Sequence, residues 1–132
     1  MNIFICDDNK ADIAQIRSYT KIYFAMEPYD PLVKGFTSGD DLLNDPLIPD
    51  IVFLDIEMPG LNGINTATEL IKRNPSVLII IVTSHLDYLD DAMKIHVFRY
   101  LTKPVEKKRL SRSLADAVKI YAVCVCKQLL SH

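Results

Sequence analysis

The stretch Ile51-Val52-Phe53-Leu54-Asp55 decides the fold of this chain, because four consecutive apolar residues end in a carboxylate. An uninterrupted apolar run of this length is typical of a strand that is buried on both faces of a parallel sheet. Asp55 comes directly before a loop that contains proline and glycine, at residues 56–63. Open α/β sheets bind their ligands beyond the carboxyl ends of the strands. The stretch therefore predicts a parallel sheet and places Asp55 where such a sheet carries its chemistry.

Three further apolar runs also end in polar side chains. They are Ile3–Cys6 followed by Asp7 and Asp8, Leu78–Val82 followed by Thr83 and Ser84, and Val97–Leu101 followed by Thr102 and Lys103. Because the carboxyl ends of parallel strands share one edge, these groups should converge with Asp55. Three acids, a hydroxyl pair and a lysine form a set that can hold a divalent cation and a phosphoryl group.

Each of these side chains also has a simpler interpretation. Asp7 and Asp8 are good helix caps, Asp55 fits a turn, and Lys103 fits a solvated position before a proline. Three acids at one edge without a cation, however, would cost stability through mutual repulsion and raised pKa values. The clustering therefore favours a functional site.

Strand and helix patterns alternate along the whole chain. The predicted strands are Ile3–Cys6, Leu32–Phe36, Ile51–Leu54, Leu78–Val82 and Val97–Leu101. The predicted helices are 10–24, a short one capped by Ser38, 62–73, 87–94, and a long one that starts near Pro104 and ends near Leu130. Five strands that alternate with five helices predict an α/β fold, a doubly wound parallel sheet covered on both faces.

Composition bounds the class of protein. A chain of 132 residues has the length of one domain, and we expect a single domain over residues 1–132. The net charge of -2 favours neither nucleic acid nor a membrane surface. No apolar run reaches the length of a transmembrane helix, so the cytoplasm is the expected location and no membrane partner is expected. Cys6, Cys124 and Cys126 match neither a redox motif nor a zinc site.

The last predicted helix is long for a single domain. Its apolar stripe is Leu110, Leu114, Ala117, Val118, Tyr121, Val125 and Leu129. One hypothesis is that this stripe packs on the sheet. A second hypothesis is that its end faces a partner subunit or continues as a linker toward a further domain.

Four short motifs occur in order at the predicted strand ends. They are Asp7-Asp8, Asp55 with Met58-Pro59 and Gly63, Thr83-Ser84, and Tyr100-Leu101-Thr102-Lys103-Pro104. Together they resemble the receiver domain of two-component response regulators, over about residues 2–122. The resemblance implies a flavodoxin-like sheet of strand order 2-1-3-4-5. Residues 98–104 look most like receivers that precede LytTR-type DNA-binding domains, which implies an effector domain beyond His132.

The resemblance also implies a chemical role for each acid. Asp55 would accept a phosphoryl group and form an aspartyl phosphate. Asp8, Asp55 and the backbone carbonyl of Glu57 would bind Mg²⁺ or Mn²⁺, and Asp7 would act through a water molecule. The phosphoryl donor would be a separate histidine kinase. The domain would then be a regulatory phospho-acceptor and not an enzyme acting on other substrates.

Two further roles follow from the resemblance. Lys103 and Thr83 would bind phosphoryl oxygens, and movement of Thr83 would let Tyr100 turn inward from solvent. The surface of the fourth helix, fifth strand and last helix would then change and support a homodimer. Glu57 and His85 should overhang the site, and we expect them to tune the lifetime of the phosphoryl group.

Several alternatives stay open from the sequence. A haloacid-dehalogenase-type phosphohydrolase would need Asp-x-Asp after its first strand, whereas here Asp55-Ile56-Glu57 ends the third. A flavodoxin would need a hydroxyl- and glycine-rich loop after the first strand, where Asp7-Asp8-Asn9 would repel the flavin phosphate. A pseudo-receiver or a single-domain regulator would act only through protein contacts. DNA would be bound only through an effector domain outside this chain.

Overall fold

The structure of the protein is a computed structural model that describes residues 1–57, 63–84 and 97–130. Its strands are β1 (Asn2–Cys6), β2 (Leu32–Phe36), β3 (Ile51–Leu54), β4 (Leu78–Thr83) and β5 (Arg99–Thr102). Its helices are α1 (Lys10–Phe24), α2 (Gly39–Leu43), α3 (Gly63–Arg73) and the C-terminal helix α4 (Lys107–Leu130). The predicted helix at 87–94 and His85 lie outside the described residues.

The five strands form one parallel sheet in the order β2-β1-β3-β4-β5. This confirms the predicted flavodoxin-like order. All four residues of β3 are buried, as expected for the middle strand. The most apolar strand, β4, lies between β3 and β5 and is therefore also interior. Backbone hydrogen bonding on both sides and helices on both faces explain why these two strands carry no polar residue before their ends.

The sheet separates two apolar cores, one on each face. Alternate residues of β1 supply both, since Ile3 and Ile5 belong to the first core and Phe4 and Cys6 to the second. The first core is covered by α1 and the C-terminal helix, through Ile13, Ile16, Phe24, Leu110, Leu114, Ala117 and Val118. The second is covered by α2 and α3, through Leu42, Ala67 and Leu70. The sheet is thus doubly wound, as the alternating pattern predicted.

Side chains cap the N-termini of α1 and α2. Asn9 caps α1 by accepting the N–H of Ala11 at 2.9 Å, so neither Asp7 nor Asp8 serves as the cap. Ser38 caps α2, as predicted. The prediction that the last helix starts near Pro104 is wrong, because the helix begins at Lys107. Residues 103–106 first form a turn that carries Val105 into the core.

The predicted apolar stripe of the C-terminal helix is buried only in its first half. Leu110 to Val118 pack on the sheet, but residues 119–130 contain no buried side chain, and Leu129 is 72% exposed. Tyr121 marks the change, since its ring lies at the side of Tyr29 with 5.9 Å between centroids. The hypothesis that the stripe packs on the sheet therefore holds for its first half only. Among the described helices none is long and apolar enough to cross a membrane.

Candidate functional site at the carboxyl edge of the sheet

Three carboxylates meet beyond the ends of β1 and β3. Asp7 and Asp8 follow β1, Asp55 follows β3, and one carboxylate oxygen of each lies within 4.8 Å of the others. Asp7 and Asp55 are buried, at 1% and 6% exposure, whereas Asp8 is exposed. Adjacent parallel strands that end together place these acids side by side, as the sequence predicted.

The backbone around Asp55 is tightly held. Its N–H donates to the carbonyl of Cys6 at 3.0 Å, and its Oδ1 accepts the N–H of Glu57 at 2.9 Å. Gly63, the first residue of α3, packs directly against the backbone of Asp55 and Ile56. A Cβ atom at position 63 would collide with the Asp55 carbonyl, so only glycine lets α3 begin this close to the acid.

Lys103 joins the acids through one ammonium group. Its Nζ lies 2.7 Å from Asp7, 3.0 Å from Asp12 and 3.1 Å from Asp55. The lysine is positioned by its own backbone, whose N–H donates to the carbonyl of Thr83 at 3.0 Å. Burial lowers the pKa of Lys103, but hydrogen bonds to the three carboxylates outweigh that burial and raise the pKa above its usual value. Lys103 is therefore held as a cation.

Burial and like charges disfavour the ionised forms of Asp7 and of the neighbouring Cys6 thiol. Burial raises the pKa of Asp7 above its usual value, although hydrogen bonds from Lys103 and the N–H of Asn9 act against that rise. Burial also raises the pKa of the Cys6 thiol to about 12, with the charges of Asp7 and Asp55 adding to the effect. A single lysine thus leaves the site short of positive charge.

The remaining predicted site residues lie around this cluster. Thr83 is buried at the end of β4, while its neighbour Ser84 faces the open cleft. Tyr100 is 39% exposed on β5, and the side chain of Glu57 is exposed at the cleft. The cleft has a volume of about 600 Å³ and is lined by Asp8, Asn9, Asp12, Asp55, Glu57, Ser84 and Lys103.

The donor set suits a hard divalent cation. The converging ligands are carboxylate oxygens, which Mg²⁺ and Mn²⁺ prefer, and an open cleft leaves room for waters and a phosphoryl group. Neither a thiol nor an imidazole belongs to the three-acid cluster. The exposed carboxylate of Asp8 offers the most accessible ligand, and Asp55 lies beside it.

Sequence reasoning missed Asp12 as a member of the site. Asp12 lies in the first turn of α1, with a side chain that is 32% exposed, and contacts Lys103. A signal for it was available, because Asp12 lies in the first turn of the helix that directly follows Asp7 and Asp8, and so begins at the same edge of the sheet. The contact itself depends on how α1 lies against the turn after β5, which no local pattern shows.

Known proteins are similar to this chain in sequence and in fold. The chain is 34% identical over 119 residues to the positive alginate biosynthesis regulatory protein of Pseudomonas aeruginosa, covering 89% of this chain and 47% of the relative. It is 37% identical over 76 residues to the sensory transduction protein LytT of Oceanobacillus iheyensis, covering 54% and 31%. The chain thus spans about half the length of the alginate regulator.

A solved response regulator receiver domain from Clostridium thermocellum superposes with a TM-score of 0.77 at 27% identity, covering 93% of this chain and 98% of that one. The family model of the response regulator receiver domain matches residues 3–115, which include every acid of the site. Receiver domains are regulatory phospho-acceptors that bind Mg²⁺ at an acidic pocket and work with histidine kinases and output domains. This chain belongs to the response regulator receiver domain family.

Proposed function

We propose that Asp55 accepts a phosphoryl group from a histidine kinase in the cytoplasm and thereby controls an output. The observation that carries this proposal is the contact of Lys103 with Asp55 beside two further acids at an open cleft. An oxygen of Asp55 would form the new bond to phosphorus. The bond between phosphorus and the kinase histidine would break, and its electron pair would leave with the nitrogen.

The acids would hold the cation that this transfer needs. Asp8, Asp55 and the backbone carbonyl of Glu57 would bind Mg²⁺ or Mn²⁺ directly, and Asp7 would hold a coordinated water. When bound, the cation offsets the repulsion between a carboxylate and a phosphoryl group. Asp7 is well suited to an indirect role, because it is buried and already accepts hydrogen bonds from Lys103 and Asn9.

Lys103 and Thr83 would bind the transferred group. Lys103 already lies 3.1 Å from Asp55, so its ammonium can meet a phosphoryl oxygen with little movement. Thr83 ends the neighbouring strand and would donate its hydroxyl to a second oxygen. Glu57 would tune the lifetime of the phosphoryl group from the rim of the cleft, and the proposal extends to His85.

The output would begin with Thr83 and Tyr100. A shift of Thr83 toward the phosphoryl group would open space into which Tyr100, now 39% exposed, could turn. The surface formed by β5 and the C-terminal helix would then change and favour a homodimer, and the proposal extends to the predicted helix at 87–94, which lies outside the described residues. Comparing the Tyr100 ring with and without a phosphate mimic tests this step, and an unchanged ring contradicts it.

The final output is proposed to be transcription. Two relatives are a positive regulatory protein of alginate biosynthesis and the sensory transduction protein LytT. Both are longer than their matches to this chain, so we propose that a LytTR-type DNA-binding domain follows a single receiver domain. The C-terminal helix, which has no buried side chain after Val118, would serve as the linker. A single-domain regulator or a pseudo-receiver is the alternative.

Intact-mass measurement tests the chemistry. The protein is incubated with acetyl phosphate, with and without Mg²⁺, next to the Asp55→Ala variant. We expect the wild type to gain the mass of one phosphoryl group only with Mg²⁺, and the variant to gain nothing. No gain, also with candidate histidine kinases, would identify the domain as a pseudo-receiver.

A further inference from the structure

Asp12 uses a donor of Lys103 that a phosphoryl group would need. An ammonium group has three N–H donors, and the Nζ of Lys103 has three carboxylate partners, Asp7, Asp12 and Asp55. Each contact lies between 2.7 and 3.1 Å, so every donor is engaged. A phosphoryl oxygen can therefore bind Lys103 in full only if one of these carboxylates releases it.

The burial of the three partners indicates which one is released. Asp7 makes the shortest contact, 2.7 Å, and its side chain is 1% exposed, so its release would leave a charge buried without its cation. Asp55 carries the phosphoryl group and stays at the site. The side chain of Asp12 is 32% exposed, so water can replace Lys103 there at low cost.

Asp12 also differs from the acids that surround the cation site. The carboxylates that lie within 4.8 Å of one another are Asp7, Asp8 and Asp55, and Asp12 is not among them. It lines the same cleft as Asp55, however, and brings one more negative charge to the space that a phosphoryl dianion would occupy. The negative charge of Asp12 repels a phosphoryl group, and its contact with Lys103 occupies a hydrogen-bond donor. Both effects oppose binding of the phosphoryl group.

We infer that Asp12 is a positioning residue that competes with the phosphoryl group for Lys103 and biases the domain toward its unphosphorylated form. The inference rests on the proposed phosphorylation of Asp55. Asp12 belongs to the first turn of α1, where a carboxylate also stabilises the helix dipole. That structural role would change thermal stability but would not tighten the binding of a phosphate mimic.

The test is binding of beryllofluoride, a mimic of the phosphoryl group, to the intact chain at saturating Mg²⁺, measured by calorimetry. We expect Asp12→Asn to bind it about three- to tenfold more tightly, since a partly exposed ion pair is worth about 1 kcal/mol. Asp12→Ser should behave in the same way, and Asp12→Glu should return the affinity toward that of the wild type.

A matched control and a second titration separate the outcomes. Asp40→Asn removes an equal charge from the exposed first turn of α2 and should leave the affinity unchanged. Titration with Mg²⁺ alone should show equal or weaker binding to Asp12→Asn, because the variant loses a nearby negative charge. If the wild type binds beryllofluoride and Asp12→Asn and Asp12→Ser both bind it equally or more weakly, the inference is overturned. If the wild type itself does not bind beryllofluoride, the proposed phosphorylation fails first.

Discussion

Strand β3 carries an aspartate at each end, and the two acids have opposite surroundings. Asp50, before the strand, accepts the N–H of Asn2 at 2.7 Å on its carboxylate. Its backbone N–H donates to the carbonyl of Asn2 at 2.8 Å, and its own carbonyl accepts the N–H of Leu78 at 2.9 Å. Asp55, after the strand, lies among Asp7, Asp8 and a shared lysine. Four residues of sequence thus separate an acid that joins three strands from an acid surrounded by like charges.

The difference teaches how to distinguish a structural carboxylate from a functional one. The carboxylate at the amino edge accepts the backbone N–H of Asn2, which stabilises its negative charge, and it belongs to no acidic cluster among the described residues. The acid at the carboxyl edge competes with other acids for one cation, which costs stability until a metal or a phosphoryl group changes the balance. Four substitutions test this contrast, from the largest expected effect to the smallest.

Replacing Lys103 by methionine should have the largest effect on stability. The change removes the cation from the buried Asp7 and from Asp55, and we expect unfolding to become easier by about 2 to 3 kcal/mol. The measurement is urea denaturation at neutral pH. Lys34→Met, which breaks the more exposed pair with Asp45 at the edge of the sheet, is the matched control and should cost less. Equal losses of stability in the two variants would contradict the claim that Lys103 stabilises the fold more than an exposed ion pair does.

Replacing Asp50 by alanine should destabilise the amino edge. Loss of the charge-assisted hydrogen bond from Asn2 should lower the free energy of unfolding by about 1.5 kcal/mol. Hydrogen exchange of the Asn2 amide, followed by NMR, locates the loss at the start of β1. Phosphoryl transfer to Asp55 should survive this change, since the acid lies at the opposite end of β3. An Asp50→Ala variant that is as stable as the wild type and keeps its Asn2 amide protected would show that this hydrogen bond does not stabilise the fold.

Replacing Asp55 by asparagine should stabilise the fold, whereas the two preceding substitutions should destabilise it. One negative charge leaves the cluster while Lys103 keeps Asp7 and Asp12, so we expect a gain of about 1 kcal/mol in the free energy of unfolding. Urea denaturation at increasing Mg²⁺ concentrations should show a smaller difference in the free energy of unfolding between the two proteins, because Mg²⁺ stabilises the wild type more than the variant. Destabilisation by Asp55→Asn without Mg²⁺ would mean that the acid is held as firmly as Asp50.

Replacing Cys6 by alanine should have the smallest effect at neutral pH, and its effect should appear in the pH dependence of stability. The folded protein keeps the Cys6 proton up to about pH 12, whereas the ordinary pKa is 9.0. The free energy of unfolding should therefore fall as the pH rises from 9 toward 12. In thermal melts over that range, the stability of the variant should fall less steeply with pH than that of the wild type. Some pH dependence should remain, because the pKa of Lys103 is also raised. Identical slopes would argue against a buried, neutral thiol.

Much of the fold and the site was predictable from short patterns. The bounds of α1 and β3, the Ser38 cap and the meeting of Asp7, Asp8 and Asp55 agree with the sequence-based predictions. Each depends on local chemistry: apolar periodicity, a hydroxyl before a helix, and acids at the ends of parallel strands. The start of the last helix was predicted wrongly, because a proline that suits the first helical turn also suits the turn before it.

The sequence by itself determined the order of strands and helices and the edge at which the acids gather, since an apolar run that ends in a carboxylate has one stable place in a parallel sheet. Only the tertiary structure decided which carboxylates share Lys103 and where the C-terminal helix leaves the core. Both depend on distances between elements far apart in the chain. The contact between Asp12 and Lys103 spans 91 residues, and after Val118 the C-terminal helix has no buried side chain, although Tyr121 still contacts Tyr29.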